Sequence, residues 1–372
     1  MISNKNIFWL SLSLFSILLF ESLSQERSRA IDVSRLELLH ADLSRGYLEN
    51  GLPLKILEGN VHARQDTLEL FCDRAIYDET NKILHLMGKI RMYRGKDTLL
   101  AREARYFEES KIAVAEGEVR VFRPAQEMKS DYLEYSYKND HIRATGNLFL
   151  HDRENQAFIT ADQGEYLPEK NFSYVKEKAH FWRIDSTSSD TIHIYSRQME
   201  YQFASNRQAI ANDSVRILQK NLLATCDSAV YQLDQDIIFL KSNPVATQEN
   251  NKITGDEMQL ILKDRELERI VVTGKAQAVS TLDSLLNKED RLEGREIVIF
   301  ISDRKIKEIH AISNARSYYH LKEKTEDRGI NVASADTIKA FLWENELDSI
   351  AVIGGAQGIY YPQDYKGKIL QE

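Results

Sequence analysis

The residue types that most often carry enzyme chemistry are present in this chain of 372 residues, but they form no familiar catalytic pattern. The sequence contains no GxxxxGKS or GxxxxGKT phosphate loop, no GxSxG, no HExxH and no CxxC. His193 and His310 fall on predicted strands without an acidic or histidine partner at the spacing of metal ligands. The carboxylates are spread over predicted turns and polar strand faces, so no pair stands out at a glycosidase spacing. The sequence therefore predicts a protein that is not an enzyme, with surface histidines and with no catalytic residue, metal site or cofactor.

A repeat of 29 residues orders the chain instead. Gly59, Gly88, Gly117 and Gly146 follow one another at this interval. Apolar and polar residues alternate on both sides of each glycine, as in the segment LHLMGKIRM from Leu84 to Met92. Alternation with a period of two predicts a strand with one dry face and one wet face. A fixed period of this length predicts a repeat architecture.

A second pattern precedes each glycine. A small residue is followed five positions later by tyrosine, as at Cys72 and Tyr77 or at Ala101 and Tyr106. A polar turn such as Asp78–Lys82 then separates the tyrosine from the glycine strand. Each repeat is therefore predicted to be an antiparallel hairpin with its glycine in the second strand.

Glycine weakens the interior of a strand, so its presence there needs a reason. Either a bulge bends the strand at this point, or an opposite wall of the protein approaches closely. Later copies of the repeat carry Glu177, Asp213 and Asn243 at this position. Asn and Asp tolerate bulge conformations better than most residues, so the pattern favours a bend.

The two cysteines, Cys72 and Cys226, occupy the same column of the repeat, five repeats apart. With at least one strand spacing of about 4.8 Å per repeat, their separation is roughly 24 Å or more. A disulfide needs Cα atoms within about 7 Å of each other. We therefore expect two separate thiols in the core.

The first 24 residues have a different character from the rest of the chain. Lys5 precedes an apolar run from Ile7 to Phe20, and Ser22 and Ser24 form a small-x-small site after it. This pattern is typical of a secretory signal peptide, with an uncleaved membrane anchor as the alternative. The net charge of −8 offers no basic field for nucleic acid. The sequence predicts an exported protein that does not bind nucleic acid.

The alternating segments Leu57–Met92 and Leu99–Phe122 resemble the LptA/OstA family, in which a G-x-V strand follows an A-x-x-A-x-Y strand. Here these elements are Gly117 to Val119 and Ala101 to Tyr106. The resemblance implies an all-β fold of repeated antiparallel hairpins, which form an extended, twisted, V-shaped β-jelly roll. Because the chain is long for this family, two such jelly rolls in tandem are the alternative. The expected divisions are a signal peptide at 1–24, a first OstA-like half at 36–183, a second half at 191–361 and a tail at 362–372.

The resemblance also implies a function. It indicates a periplasmic lipopolysaccharide-binding transport protein that shields the acyl chains of lipid A in an apolar groove between two sheets. Such a protein bridges components of the inner and outer membranes of a Gram-negative cell. The expected partners are LptC-like and LptD-like jelly rolls, or further copies of this chain joined head to tail. The unpaired strands near 36–42 and 351–361 are the predicted docking edges.

The dry faces of the repeats supply the candidate groove. Two alternatives remain open: a structural β-repeat spacer whose apolar residues only fill a core, and an extracytoplasmic carbohydrate-binding β-solenoid. If the groove exists, acyl chains are held by burial of about 0.8 kcal/mol per methylene. The candidate lipid-binding residues are Leu84, Leu86, Ile90, Met92, Val119, Val121, Leu148, Leu150, Val215, Ile217, Ile270 and Val272.

Overall fold

The computed structural model of this chain describes most residues between 37 and 367. The described ranges are 37–49, 51–154, 156–184, 191–202, 207–232, 234–263, 266–283, 288–302, 305–323, 326–343 and 346–367. The predicted signal peptide lies outside them. No helix in these ranges has the length and apolar character needed to cross a membrane.

The chain forms two compact units, Met1–Arg207 and Gln208–Glu372. The sequence places a division between residues 183 and 191 instead. The segment 185–190 is outside the described residues, but the strands on either side of it pair with each other inside the first unit, from Phe172 with Gln202 to Ile184 with Thr191. This pairing is why the first compact unit continues beyond the predicted boundary.

The first unit is built from twelve described strands and one three-residue 3₁₀ turn at Pro168–Lys170. The strands are β1 (Glu37–His40), β2 (Leu43–Glu49), β3 (Leu52–Gln65), β4 (Leu68–Asp78), β5 (Ile83–Arg94), β6 (Asp97–Phe107), β7 (Ile112–Phe122), β8 (Gln126–Ser136), β9 (His141–Asp152), β10 (Ala157–Leu167), β11 (Phe172–Ile184) and β12 (Thr191–Gln202).

Each strand from β3 to β11 pairs antiparallel with the next one along the chain. The short strands β1 and β2 pair with different parts of β3 and together form its outer neighbour. The first unit is therefore a succession of antiparallel hairpins, as the sequence predicts.

Every second long strand bends at the position that the glycine repeat indicates. In β5 the bend residues are Gly88, with a φ of 75°, and Lys89, with a φ of 43°. The register between β4 and β5 shifts at this point, between Phe71 and Arg74. Glycine reaches positive φ without steric cost, which explains its place in the repeat. The predicted bulge is confirmed.

The second residue of each bend is a feature that the glycine pattern does not predict. Asn60, Lys89, Glu118 and Asn147 all have positive φ although they carry a Cβ atom. A left-handed conformation costs such a residue about 1–2 kcal/mol. In one later copy the bend residues are Ser242 and Asn243. Ser242 therefore occupies the first bend position, to which the repeat alignment assigns Asn243.

The tyrosines lie at the hairpin tips. The hydroxyl of Tyr135 donates to Oδ1 of Asp140 at 2.6 Å, and that of Tyr231 donates to Oδ1 of Asp236 at 2.9 Å. Both aspartates close their turns with positive φ. Tyr135 and Tyr231 therefore tie their strands to the turns that follow them.

The second unit follows the same hairpin plan, with its longest strands from β19 to β22. β15 and β16 pair with different parts of β14, and β17 and β18 pair with different parts of β19. Each of these two pairs of short strands therefore takes the place of one long, interrupted strand. The strands are β13 (Gln208–Gln219), β14 (Leu222–Gln232), β15 (Ile237–Lys241), β16 (Val245–Gln248), β17 (Asn251–Thr254), β18 (Glu257–Lys263), β19 (Glu266–Asp283), β20 (Lys288–Ser302), β21 (Lys305–Glu323), β22 (Glu326–Trp343), β23 (Glu346–Ile353) and β24 (Gln357–Pro362).

Candidate functional site

The candidate groove residues of the first unit come together in a single apolar cluster. We call the inward apolar face that they share, along β3 to β12, the trough. The cluster contains the buried candidates Leu86, Ile90, Val119, Leu148 and Leu150, and the half-buried candidates Leu84, Met92 and Val121 pack against it.

The remaining candidates lie in the second unit. Val215 and Val272 are buried there, and Ile217 and Ile270 are half-buried. Val272 belongs to a row of buried residues on neighbouring strands, each in register with the next. The row is Leu240, Met258, Val272, Ile297, Ala311 and Ile338.

The floor of the trough is a row of apolar residues and one glycine, each in register with the next across the first unit. Side chains directly opposite each other on neighbouring strands share one face of the sheet. The row runs through Leu57, Ala75, Leu86, Ala104, Ala115, Leu133, Ala144, Gly164, Val175 and Met199.

The outermost apolar positions of the trough, which we call its rim, are half-buried in one part of the first unit and buried in another. The rim positions lie four residues before and four residues after the first bend residue of β5, β7, β9 and β11. Side chains at these positions are half-buried in β5 and β7 but buried in β9 and β11. We call β5 to β7 the open section and β9 to β11 the closed section. The open rim consists of Leu84, Met92, Ala113 and Val121, and the closed rim of Ile142, Leu150, Ser173 and Phe181.

Basic side chains stand beside the open section. Arg91, Arg94 and Lys96 are exposed at the end of β5 and in the turn that follows it. The guanidinium carbon of Arg91 lies 5.3 Å from the centre of the Phe71 ring on the outer face, so only Arg94 and Lys96 are placed at the end of the trough. Guanidinium and ammonium groups are strong partners for phosphate. This edge of the trough is therefore suited to an anionic headgroup.

The bends carry a column of polar pairs that the sequence analysis missed. Lys89 Nζ lies 3.7 Å from Asp73 Oδ2, and the next copy reverses the charges, with Arg102 opposite Glu118. This exchange of charge between two fixed repeat positions is a signal that could have identified the pairing. Because these pairs are exposed, each contributes at most about 1 kcal/mol. Further members are Asn147 with Asp131, Lys178 with Asp162, and Arg197 with Glu177.

Two histidines have partners that sequence spacing did not reveal. His310 Nε2 lies 2.7 Å from Glu308 Oε2, and His193 Nδ1 lies 3.1 Å from His180 Nε2. The prediction that His193 and His310 lack such partners is therefore wrong. Residues two apart in a strand share a face, and a neighbour on the adjacent strand cannot be identified from spacing alone.

His320 corrects the prediction of surface histidines. It is buried in the second unit, and Oδ1 of Asp290 lies 2.9 Å from its ring Nδ1 and 2.8 Å from its backbone nitrogen. Among the residues that the structure describes, no three His, Cys, Asp or Glu side chains are grouped as ligands of one metal ion.

Stacked rings cross the outer face of β9 to β12, opposite the trough. His151 stacks on Phe158 with 4.3 Å between ring centres, and Phe158 stacks on Trp182 at 5.0 Å. The ring centre of His180 lies 4.6 Å from that of Trp182 and 4.1 Å from that of Tyr195. The rings cover each other's faces, so we interpret the row as packing of the closed section.

The two thiols are free, as the repeat column predicts. Cys72 lies opposite Val61, and Cys226 lies opposite Val215, at equivalent positions of two repeats. Burial raises the pKa of each thiol to about 11. Both are therefore protonated core residues rather than nucleophiles.

Comparison with known proteins finds a family match for part of the chain. Residues 99–266 match the model of a family described as "LptA/(LptD N-terminal domain) LPS transport protein". This chain contains an LptA/OstA-like domain. The all-β fold of consecutive antiparallel hairpins is consistent with an LptA-like β-jelly roll. Six of the candidate residues fall within the matched part of this domain: Val119, Val121, Leu148, Leu150, Val215 and Ile217.

A crystal structure of LptH, the LptA homologous periplasmic component of a lipopolysaccharide transport device from Pseudomonas aeruginosa, matches 39% of this chain and 82% of its own chain. The identity is 14% and the TM-score is 0.21, a similarity too low to support a structural argument. No curated protein matches this chain.

Proposed function

We propose that the trough of the first unit holds acyl chains of lipopolysaccharide while the saccharide and its phosphates stay in water. The observation that carries this proposal is the apolar floor with half-exposed rim residues such as Met92 and Val121 in a chain of a lipopolysaccharide transport family. No covalent step is needed, so the protein acts as a carrier and not as an enzyme.

Apolar burial supplies the binding free energy. Removal of one methylene from water is worth about 0.8 kcal/mol, so burial of five methylenes contributes about 4 kcal/mol. Several chains of one lipid multiply this amount. The half-buried side chains Leu84, Met92 and Val121 present the apolar surface that such chains would cover.

The headgroup is expected beside the exposed basic residues Arg94 and Lys96, at the end of the β5 hairpin. Phosphates placed there form charge-assisted hydrogen bonds, while the acyl chains extend along the trough. This arrangement orients an amphiphile with its polar end at the rim of the open section.

Partners are proposed to dock on the terminal strands. All side chains of β1 and β2 are exposed. In the described pairings both strands pair only with β3, so no further strand covers their outer edge. Leu48 is 72% exposed on this edge, and Tyr360 is 54% exposed on β24. Unpaired edges with apolar side chains are suited to strand addition. LptC-like and LptD-like jelly rolls, or a second copy of this chain, fit these edges in a periplasmic bridge between the two membranes.

The alternative function is a structural spacer that binds protein ends but no lipid. The closed section favours it, because β9 to β11 bury their rim residues as a packed core does. The two functions differ in what they predict for the open section.

The test is the amount of lipopolysaccharide that remains bound to the purified protein. Val121→Asp places a charge in the trough, and Arg120→Asp places the same charge on the wet face of the same strand. We expect Val121→Asp to retain at least about tenfold less lipid, since a loss of 1.4 kcal/mol suffices. Equal retention by both variants, or no lipid on the unmodified protein, would favour the spacer.

A further inference from the structure

We propose that the trough of the first unit accepts acyl chains only in its open section, and that Tyr166 and Tyr201 form a plug that closes it at β10 to β12. This inference rests on the proposed function, because it specifies which part of the same trough takes the lipid. It follows from a change in burial along a repeat whose sequence pattern stays nearly constant.

The tyrosine column shows where the change occurs. Tyr77, Tyr106 and Tyr135 occupy equivalent positions in three successive repeats and are half-buried. Tyr166 is 8% exposed and Tyr201 is 4% exposed. The same residue type at the same repeat position therefore lies at an accessible rim in the open section and inside the core beyond it.

The plug has a simple geometry. Tyr166 lies directly opposite Ser173, and Ser173 lies directly opposite Tyr201, so the three residues form one row across β10, β11 and β12. Directly opposed side chains share a face of the sheet, so two large rings flank one small residue. Ser173 is 0% exposed, and its hydroxyl has no hydrogen-bond partner among the described residues. Bulk solvent therefore does not contact Ser173.

The other rim of the closed section is sealed as well. Phe181, four residues after the bend of β11, is buried, as is Leu150 at the same position of β9. Beyond Leu150, the buried residues Asp152 and Gln126 lie opposite each other on β9 and β8. Both rims are thus covered, one mainly by aromatic rings and the other by Phe181 and a polar pair.

The consequence concerns the path of the lipid. An acyl chain can contact Leu84, Met92 and Val121 without displacing any buried side chain. To go further along the trough, it must displace Tyr166 or Tyr201 from the core. The first unit therefore retains its lipid in the open section until these tyrosines move, which makes the plug a gate against free sliding.

The experiment uses the full-length protein and lipid A that carries a diazirine in an acyl chain. After illumination, the labelled peptides are mapped by mass spectrometry. We expect labelling on β5 to β7 to exceed labelling on β9 to β11 by at least about tenfold, which corresponds to about 1.4 kcal/mol. Equal labelling of both sections overturns the plug but leaves the proposed function intact. An absence of labelling above that seen with excess unlabelled lipid A overturns the proposed function, and the plug with it.

A variant identifies the barrier. In the double variant Tyr166→Ala and Tyr201→Ala, we expect labelling on β9 to β11 to rise at least about fivefold, since truncation removes about 1 kcal/mol of the barrier. Tyr231→Ala, at the equivalent repeat position in the second unit, is the matched control and should leave the map of the first unit unchanged. If the double variant is folded by circular dichroism and its map equals the unmodified one, the tyrosines are not the plug. If it does not fold, the map of the unmodified protein still decides between a closed and an open trough.

Discussion

Replacement of a bend glycine tests the origin of the repeat. At Gly88 an alanine would have to adopt a φ of 75°, and its Cβ would lie 2.5 Å from Oδ2 and 2.9 Å from Cβ of Asp73. The positive φ costs about 1–2 kcal/mol. Relief of the contact with the Cβ of Asp73 requires the strands to separate slightly, and such overpacking costs about 1–3 kcal/mol. We expect Gly88→Ala to lower the free energy of unfolding by about 3 kcal/mol in total.

Gly95 provides the matched control. It also has a positive φ, of 58°, but a Cβ added there has no neighbour within 4 Å. Gly95→Ala should therefore lower the free energy of unfolding only by the cost of the positive φ, about 1 kcal/mol. In an Asp73→Gly background, which removes the obstructing Cβ, the loss on Gly88→Ala should fall toward that of Gly95→Ala.

The assay is urea denaturation followed by far-UV circular dichroism, with hydrogen exchange of β4 and β5 to locate the loss. Equal losses for Gly88→Ala and Gly95→Ala would refute the packing part of the argument. A loss at Gly88 that is unchanged by Asp73→Gly would show that Asp73 is not the obstacle.

Three further predictions concern charges and thiols. Burial raises the pKa of Glu165, but hydrogen bonds from Tyr174 and His141 and the ion pair with Arg143 lower it overall. The ionised carboxylate therefore stabilises the folded protein above its ordinary pKa, and this stabilisation is lost as the pH falls. In denaturation titrations, the destabilisation caused by Glu165→Gln should shrink below about pH 4.5. Cys72 and Cys226 should not react with a thiol reagent at pH 8 until urea unfolds the chain, because burial raises the pKa of each to about 11; rapid reaction of the native protein would contradict their burial. Arg102→Glu should destabilise by at most about 1 kcal/mol, and the added change Glu118→Arg should restore the loss if the two side chains pair as in the structure.

Local sequence pattern is sufficient to predict the hairpins and the bends. Alternation around Gly88 indicates the strand, the turn residues before it indicate the hairpin, and the presence of glycine inside a strand indicates the bulge. These features depend on backbone conformation and on the period of side chains, which the sequence shows directly.

The second bend residue and its partner depend on the adjacent strand and were not predicted. Lys89 adopts positive φ opposite Asp73, and neither residue is unusual in its own segment. The partners of His193 and His320 were missed for the same reason. Contacts across strands require the register, and the bends shift the register in every repeat.

The closed section could not be predicted because burial at a repeat position depends on what covers it. Tyr135 and Tyr166 are equivalent in the pattern, yet only Tyr166 is in the buried core. The division of the chain after Arg207 was likewise missed, since the polar sequence at 185–190 suggests a boundary although the strands on either side of it pair.

The measurement that tests the central claim most directly is crosslinking to lipopolysaccharide in the envelope of living cells. A photoreactive amino acid is introduced singly at Met92 or Val121 in the trough, and at Lys89 or Arg120 on the wet face of the same strands. Acyl chains held in the trough predict adducts with lipopolysaccharide from Met92 and Val121 only. Adducts of equal yield from all four positions, or from none, would contradict a lipid-binding trough and leave the spacer as the function.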